Sequence, residues 1–361
     1  MLRKVFITIV LLTLLFIPAA GGIGAARAAK AATCTEEQGQ LYINQGLYGD
    51  AISEFTCLIA AQPTEVAGYR GRIEAELLLG SYSDALRDYA RVTAFVLPVH
   101  PDAHRTILAG YAARLSAAPD DIPALMGGSF ARWSFFDYPA ALHLLNDLLA
   151  LRPDDLYGNL FRGSNRLLHH VSTTEGAADL EYAITLAPQS ADVRFIVADA
   201  YTYGLPDPQR AFAEASLALA WGLDTPRIRA ILAVSYQAFG DQSAAGAEIL
   251  RHIEMVTTEL LPVSSLSAGA SLTLALVPGR TYELPVPATA GETLSIVTSS
   301  HDFYDTILVL LAPDGTPVLG SDDYKRYFAG FVWVAGVSGT YRMRVTSFEG
   351  IDTGDLIVSR K

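Results

Sequence analysis

Seven histidines, two cysteines and 38 acidic residues set the chemistry this chain could attempt. His100 and His104 stand four residues apart, the spacing at which two imidazoles share one helical face and can hold a metal. Pro101 and Asp102 between them read instead as a helix start, and no third ligand is evident. His169 and His170 are adjacent and so point two ways from a helix. Asp305, Asp322 and Asp323 could converge if the turn after Pro317 returns beside the Asp305 strand, and clustered carboxylates suit calcium. Against that, the loop lacks a recognisable calcium spacing, and paired aspartates also form turns by bonding their own backbone. No His-Glu-x-x-His, Gly-x-Ser-x-Gly, phosphate-loop or cysteine-cluster motif occurs. A non-enzymatic protein is therefore expected, with no cofactor beyond a candidate calcium ion.

What surrounds these residues must be read from the ends inward. Arg3 and Lys4 precede an apolar run over residues 5–18, then a Gly/Ala-rich stretch containing Ala26-Arg27-Ala28. That is a basic region, an apolar region too short for a comfortable membrane span, and a small-residue cleavage zone. Residues 1–28 read as a signal peptide cut near Ala28, with Ala31 as second choice; the alternative is an uncleaved anchor. The formal net charge is −12, and removal of Arg3, Lys4 and Arg27 without any acid makes the remainder more acidic still. Such a chain is a poor ligand for nucleic acid or anionic lipid, both of which need clustered cations. A secreted, periplasmic or cell-surface protein is expected, and 361 residues are too many for one core.

Gly46, Tyr48, Ala51 and Phe55 return 34 residues later as Gly80, Tyr82, Ala85 and Tyr89. Small and aromatic residues kept at that period mark stacked helical hairpins, in which one unit cannot bury its own apolar face. The first unit also carries Gly39, Tyr42 and Leu58 and closes at Pro63. The set resembles the tetratricopeptide repeat. Looser units end with Tyr138, Ala141, Leu145, Leu148 and Pro153, then with Ala177, Leu180, Ala183 and Pro188. Another carries Ala198, Tyr201, Ala211 and Ala215, and the last Ala233, Tyr236, Gly240, Ala245 and Ile249. Between Pro98 and Pro123 the register breaks, and a degenerate helix pair is expected there. The resemblance covers residues 34–261; the alternative is a non-repetitive helical domain.

The first helix of each stacked hairpin lines the concave face. Counting along those helices puts Glu36, Gln40 and Asn44 in the groove, then Arg70 and Glu74, then Phe130 and Trp133, and then Asn165 and His169. The resemblance implies an extended peptide or a partner helix as ligand. Phe130 and Trp133 are either an exposed aromatic contact patch or core of an irregular unit. Cys34 falls at the start of the first helix and Cys57 late in its antiparallel partner, which together with export reads as a disulfide. Lipidation of Cys34 is the alternative, although Ala31-Ala32-Thr33 is a poor lipoprotein motif.

Near Pro262 the period changes. Residues 262–270, with Ser264, Ser265, Ser267 and Gly269, read as a linker. Residues 271–361 alternate with period two between turn signals at Pro278-Gly279, Ala290-Gly291, Pro313-Asp314-Gly315, Ser338-Gly339 and Thr353-Gly354, the pattern of a β-sandwich. The stretch 290–294, Asp305 with the 307–311 strand, Asp322-Asp323 and Gly339-Thr340-Tyr341 resemble the bacterial pre-peptidase C-terminal domain. That resemblance implies a jelly-roll-like accessory domain for surface, protein or glycan attachment, here with no peptidase before it.

The fold class expected is multidomain α + β: an all-α tetratricopeptide-like helical-hairpin solenoid followed by an all-β jelly-roll-like sandwich. The function expected is an exported adaptor or scaffold with a protein or peptide in its groove, no nucleic acid, and no membrane beyond the signal segment. The alternative is an accessory or regulatory subunit of a secreted peptidase or glycosidase.

Overall fold

The computed structural model describes residues 34–63, 65–93, 103–300, 305–322, 328–348, 350 and 354–361. The expected signal segment 1–28 lies outside the described residues. Among those residues thirteen α-helices come first: α1 (Glu36–Asn44), α2 (Tyr48–Ala61), α3 (Val66–Leu79), α4 (Tyr82–Thr93), α5 (Ala103–Ala117), α6 (Ile122–Ser134), α7 (Tyr138–Leu151), α8 (Leu156–Leu168), α9 (Thr173–Leu186), α10 (Ala191–Asp199), α11 (Pro208–Ala220), α12 (Pro226–Ala238) and α13 (Gln242–Val256). A π-helical turn, Ala200–Gly204, continues α10.

Local chemistry sets the helix ends. Asp121, Asp137, Asp155, Asp207 and Asp241 each cap a helix, the carboxylate accepting from the backbone N–H three residues on. Gly46, Gly80 and Gly240 stand just past the first helices of three hairpins at φ of +74°, +87° and +83°, a left-handed turn that suits glycine and stops the helix. Between the helices of the first hairpin and the next, the Phe55 ring fills the gap that Gly39 and Gly71 leave. A Cβ added at Gly71 would lie 2.2 Å from that ring.

A polar clip recurs as well. The seventh residue of a second helix is an acid that pairs with an arginine of its own first helix: Arg72 with Asp88, Arg162 with Asp179, Arg194 with Glu214 and Arg229 with Glu248, the last three at 2.7, 2.8 and 2.9 Å. Arg72 and Arg162 grip their acids with two bonds each, a planar fork that fixes the rotation of the second helix, while Arg194 and Arg229 reach theirs through one.

The first helices fall into two rows. Helices α1, α3 and α5 lie side by side, and α6, α8, α10 and α12 form the second row with α7, α9, α11 and α13 behind it. The break expected between Pro98 and Pro123 is where the rows meet: α5 packs on both α3 and α6, and α3 also touches α6.

Nine strands follow: β1 (Glu259–Pro262), β2 (Ser271–Leu276), β3 (Arg280–Ala288), β4 (Thr293–Ser300), β5 (Thr306–Leu311), β6 (Pro317–Ser321), β7 (Gly330–Val334), β8 (Gly339–Ser347) and β9 (Gly354–Arg360). They make two sheets, ordered β1-β3-β8-β5-β6 and β2-β9-β4-β7. The antiparallel pairs nest, β2 with β9, β3 with β8, β4 with β7 and β5 with β6, which is the winding order of a jelly roll. Leu284, Val286, Leu294, Ile296, Leu308, Leu310, Met343 and Val358 fill the space between the sheets.

Two features of this half depart from expectation. The segment 262–270 is part of the sandwich. β1 pairs in parallel with β3, Leu266 is fully buried, and the nearly buried Arg360 donates to the carbonyls of Leu266 at 3.0 Å and Pro287 at 2.8 Å. The second departure is at β5, which is buried on both faces. Its Leu308 and Leu310 face the sandwich core, while Ile307, Val309 and Leu311 form a joint core with Ala230, Ala233, Ile249 and Ile253 of α12 and α13. The sandwich thus closes the end of the second row through an apolar contact, and the two domains are not tethered by a free linker.

Candidate partner-binding surface

The first row carries a ladder of polar side chains, each rung reaching the next helix. Glu36 of α1 pairs with Arg70 of α3. One turn along, Gln40 donates to Glu74 at 3.3 Å, and Arg114 of α5 donates to the same carboxylate at 2.6 Å. Arg114 also holds Asp121 through two bonds of 2.9 Å. Glu74 is buried, and burial raises its carboxyl pKa while the Arg114 guanidinium opposes the shift. The Glu36 side chain keeps 45% of its surface exposed and Arg70 25%. The row therefore presents a polar strip with accessible Glu36, Arg70 and Arg114 over a buried Glu74, its charges matched within the protein.

The second row carries aromatics on the corresponding face, and they are covered. Tyr157 and Phe161 of α8 stack at 4.5 Å, and Phe161 meets Phe130 and Trp133 of α6 at 5.8 and 5.2 Å. Phe130 is 0% exposed and Trp133 6%. They are core rather than a contact patch, because helix α4 lies over the row. Tyr82 packs on Tyr157 and Phe161 at 6.0 and 5.4 Å, and Tyr89 packs on Phe130 at 5.9 Å. The Tyr89 hydroxyl donates to the Ala131 carbonyl at 3.2 Å, and the Ser83 N–H donates to Asp192 of α10 at 2.8 Å. Helix α4 thus touches three successive first helices of the second row.

The nine residues expected in one groove are accordingly split. Glu36, Gln40, Arg70 and Glu74 come together on the first row. Asn44 is exposed at the end of α1. Asn165 is fully buried, its amide donating to the Tyr138 carbonyl at 3.0 Å, and exposed His169 caps α8 with its ring 6.2 Å from Tyr138. Arg114 is the ladder residue that sequence reading missed. It sits 40 residues after Glu74, outside the 34-residue period that links Gln40 to Glu74.

The cysteines are joined. A Cys34–Cys57 disulfide with Cα atoms 6.0 Å apart ties the chain before α1 to α2. His100 lies outside the described residues, and His104 stacks on Phe135 at 3.9 Å with its Nδ1 bonded to Tyr89. Burial, aided by Arg132, lowers the His104 pKa. Asp305 accepts the Phe348 N–H on its backbone carbonyl at 2.9 Å, Asp322 is buried, and Asp323 lies outside the described residues. Among the described residues no group of three or more His, Cys, Asp or Glu is placed to hold a metal ion. His252, absent from the sequence candidates, is fully buried at the domain joint with Nε2 bonded 2.6 Å from the Phe348 carbonyl. Burial lowers its pKa to about 4, and carbonyl contacts with Phe348 and Pro226 oppose the shift.

No family model and no curated protein sequence matches the chain. Among solved structures it is similar to a thermophilic tetratricopeptide protein from Thermus thermophilus, at 23% identity over 50% of this chain and 90% of that one, TM-score 0.38. A tetratricopeptide repeat protein from Parabacteroides merdae aligns at 16% identity over 65% and 85%, TM-score 0.38. The β part is similar to the pre-peptidase C-terminal domain of a collagenase from Bacillus anthracis, at 15% identity over 28% of this chain and 95% of that one, TM-score 0.24. These likenesses concern architecture alone; the helical-repeat and sandwich assignments rest on the hairpins and sheets of this chain. Among the described residues no helix is long and apolar enough to cross a membrane.

Proposed function

We propose that this protein is an exported, non-enzymatic scaffold that binds a protein or peptide partner along its first row, with the sandwich serving attachment to an extracellular protein or glycan. The observation that carries the reading is the ladder Glu36–Arg70 and Gln40–Glu74–Arg114, which aligns side chains of three helices in one strip with buried Glu74 beneath accessible Glu36, Arg70 and Arg114. Matched charge with exposed rims favours a polar partner segment and gives specificity more than raw affinity. The disulfide supports an oxidising compartment.

A photo-crosslinking side chain at Asn44, in the protein expressed in its own cells, tests the reading. An adduct is expected. It should be lost in the charge-swapped Glu36→Arg, Arg70→Glu protein, which keeps the internal pair but reverses the strip. An adduct unchanged by the swap overturns the assignment of the face, and recovery of a hydrolase in the adduct would make this chain its accessory subunit.

A further inference from the structure

Helix α4 is seated on the second row as a ligand would be. Tyr82, Ala85, Tyr89 and Val92 form a stripe at the spacing of one helical face, and all four are buried. Its other face carries Arg87 and Arg91, with side chains 54% and 51% exposed. An amphipathic helix laying an apolar stripe into an aromatic groove is a recurring mode of recognition between proteins. Here both halves belong to one chain. The seat even includes a cap in trans, since the Asp192 carboxylate accepts the Ser83 N–H in the first turn of α4 from 109 residues away.

On its other side α4 packs along α3 and is clipped there by Arg72 and Asp88, but that seam carries a polar defect. The seam with α3 buries two carboxylates, Asp88 and Glu76, against the single guanidinium of Arg72. Glu76 sits 3.9 Å from Arg72, and its second carboxylate oxygen has no hydrogen-bond partner in the protein. Burial, with Asp88 beside it, raises the Glu76 pKa to about 8. Arg91 approaches Asp88 only at 3.9 Å, while Asp84 and Arg87 pair with each other at the helix surface. A buried carboxylate short of partners is a cost that ends when α4 leaves and water enters.

The geometry points to α4 as a displaceable internal ligand: the α6–α8–α10 face is a helix-binding groove held shut in cis, and a second amphipathic helix with the same aromatic–small–aromatic stripe opens it. The inference goes beyond the function proposed above, which uses the other row and stands or falls separately.

The probe is a fluorescein-labelled peptide of residues 80–93, titrated by anisotropy into the full-length protein. The Tyr82→Ala, Tyr89→Ala double variant, with its own α4 loosened, is expected to bind the peptide at least tenfold more tightly than the unmodified protein. Adding Phe161→Ala should abolish that binding. Equal binding by both proteins, or none by the folded double variant, overturns the inference. Should the double variant not fold, Ser83→Pro serves in its place, since it removes the N–H that Asp192 accepts in the first turn of α4 and leaves the groove whole, with a smaller gain of the same sign. Hydrogen exchange on the unmodified protein gives an independent reading. Amides of α4 are expected to exchange faster than those of α8, and equal protection of the two helices would overturn displaceability.

Discussion

The two rows of first helices come from the same repeat, yet one face stays open and the other is covered. Equivalent surfaces carry Glu36, Gln40, Arg70 and Glu74 on the first row and Phe130, Trp133, Tyr157 and Phe161 on the second. The Glu36–Arg70 rim stays hydrated and costs little when exposed, while Glu74 beneath it is buried and matched by Arg114. An aromatic face loses roughly 25 cal/mol for each Å² left in water, so the chain lays α4 upon it. The scaffold decides where a face is; the residue types decide whether it remains available.

The largest test of that contrast is Phe161→Ala. Loss of a fully buried ring should cost about 3–5 kcal/mol in denaturant unfolding, whereas the same change on an open groove would be nearly neutral. Next is replacement of Cys34 and Cys57 by serine. Release of the terminal hairpin should cost about 3 kcal/mol and expose the amides of α1 and α2 to exchange while those of α8 stay protected. Loss of protection in both rows at once would mean that the rows unfold as one unit.

Two titrations sharpen the comparison because they act in opposite directions. His252 has a folded pKa of about 4, below its ordinary 6.5, so the unfolded chain takes up its proton first as pH falls. Stability at the domain joint should drop between pH 6.5 and 4, by on the order of 2 kcal/mol at pH 5, read as faster exchange in α13 and β8. Glu76 is raised to about 8 from an ordinary 4.5, so the folded state is increasingly penalised as pH rises from 4.5 toward 8 and the buried acid must lose its proton. Exchange in α4 should therefore quicken toward pH 8, and Glu76→Gln should flatten that dependence. The smallest effect belongs to Glu36→Gln. An accessible pair is worth about 0.5 kcal/mol, and its loss should leave the melting temperature almost unchanged.

Some of what reading missed did leave a signal. Ile307-Leu308-Val309-Leu310-Leu311 is an unbroken apolar run, and so is the run over residues 331–335, yet Val332 and Val334 of the second are exposed. An apolar run therefore permits a strand covered on both faces without requiring it; in β5 helix α13 supplies the second cover. Arg114 left a fainter mark, because the rung it completes falls where the period breaks.

Sequence alone determined the hairpins, the turns at Gly46, Gly80 and Gly240 and the alternation of the sandwich, and it placed Cys34 opposite Cys57 with lipidation of Cys34 as the alternative. Each depends on contacts within one unit or its neighbour, so the pattern repeats along the chain where it can be read. Tertiary structure alone decided that α4 covers the second row, that Phe130, Trp133 and Asn165 are interior, and that α13 is buried against β5 and β6. Those contacts join residues up to about a hundred positions apart and obey no period. An amphipathic stripe states that a face must be covered; only the folded chain says by what.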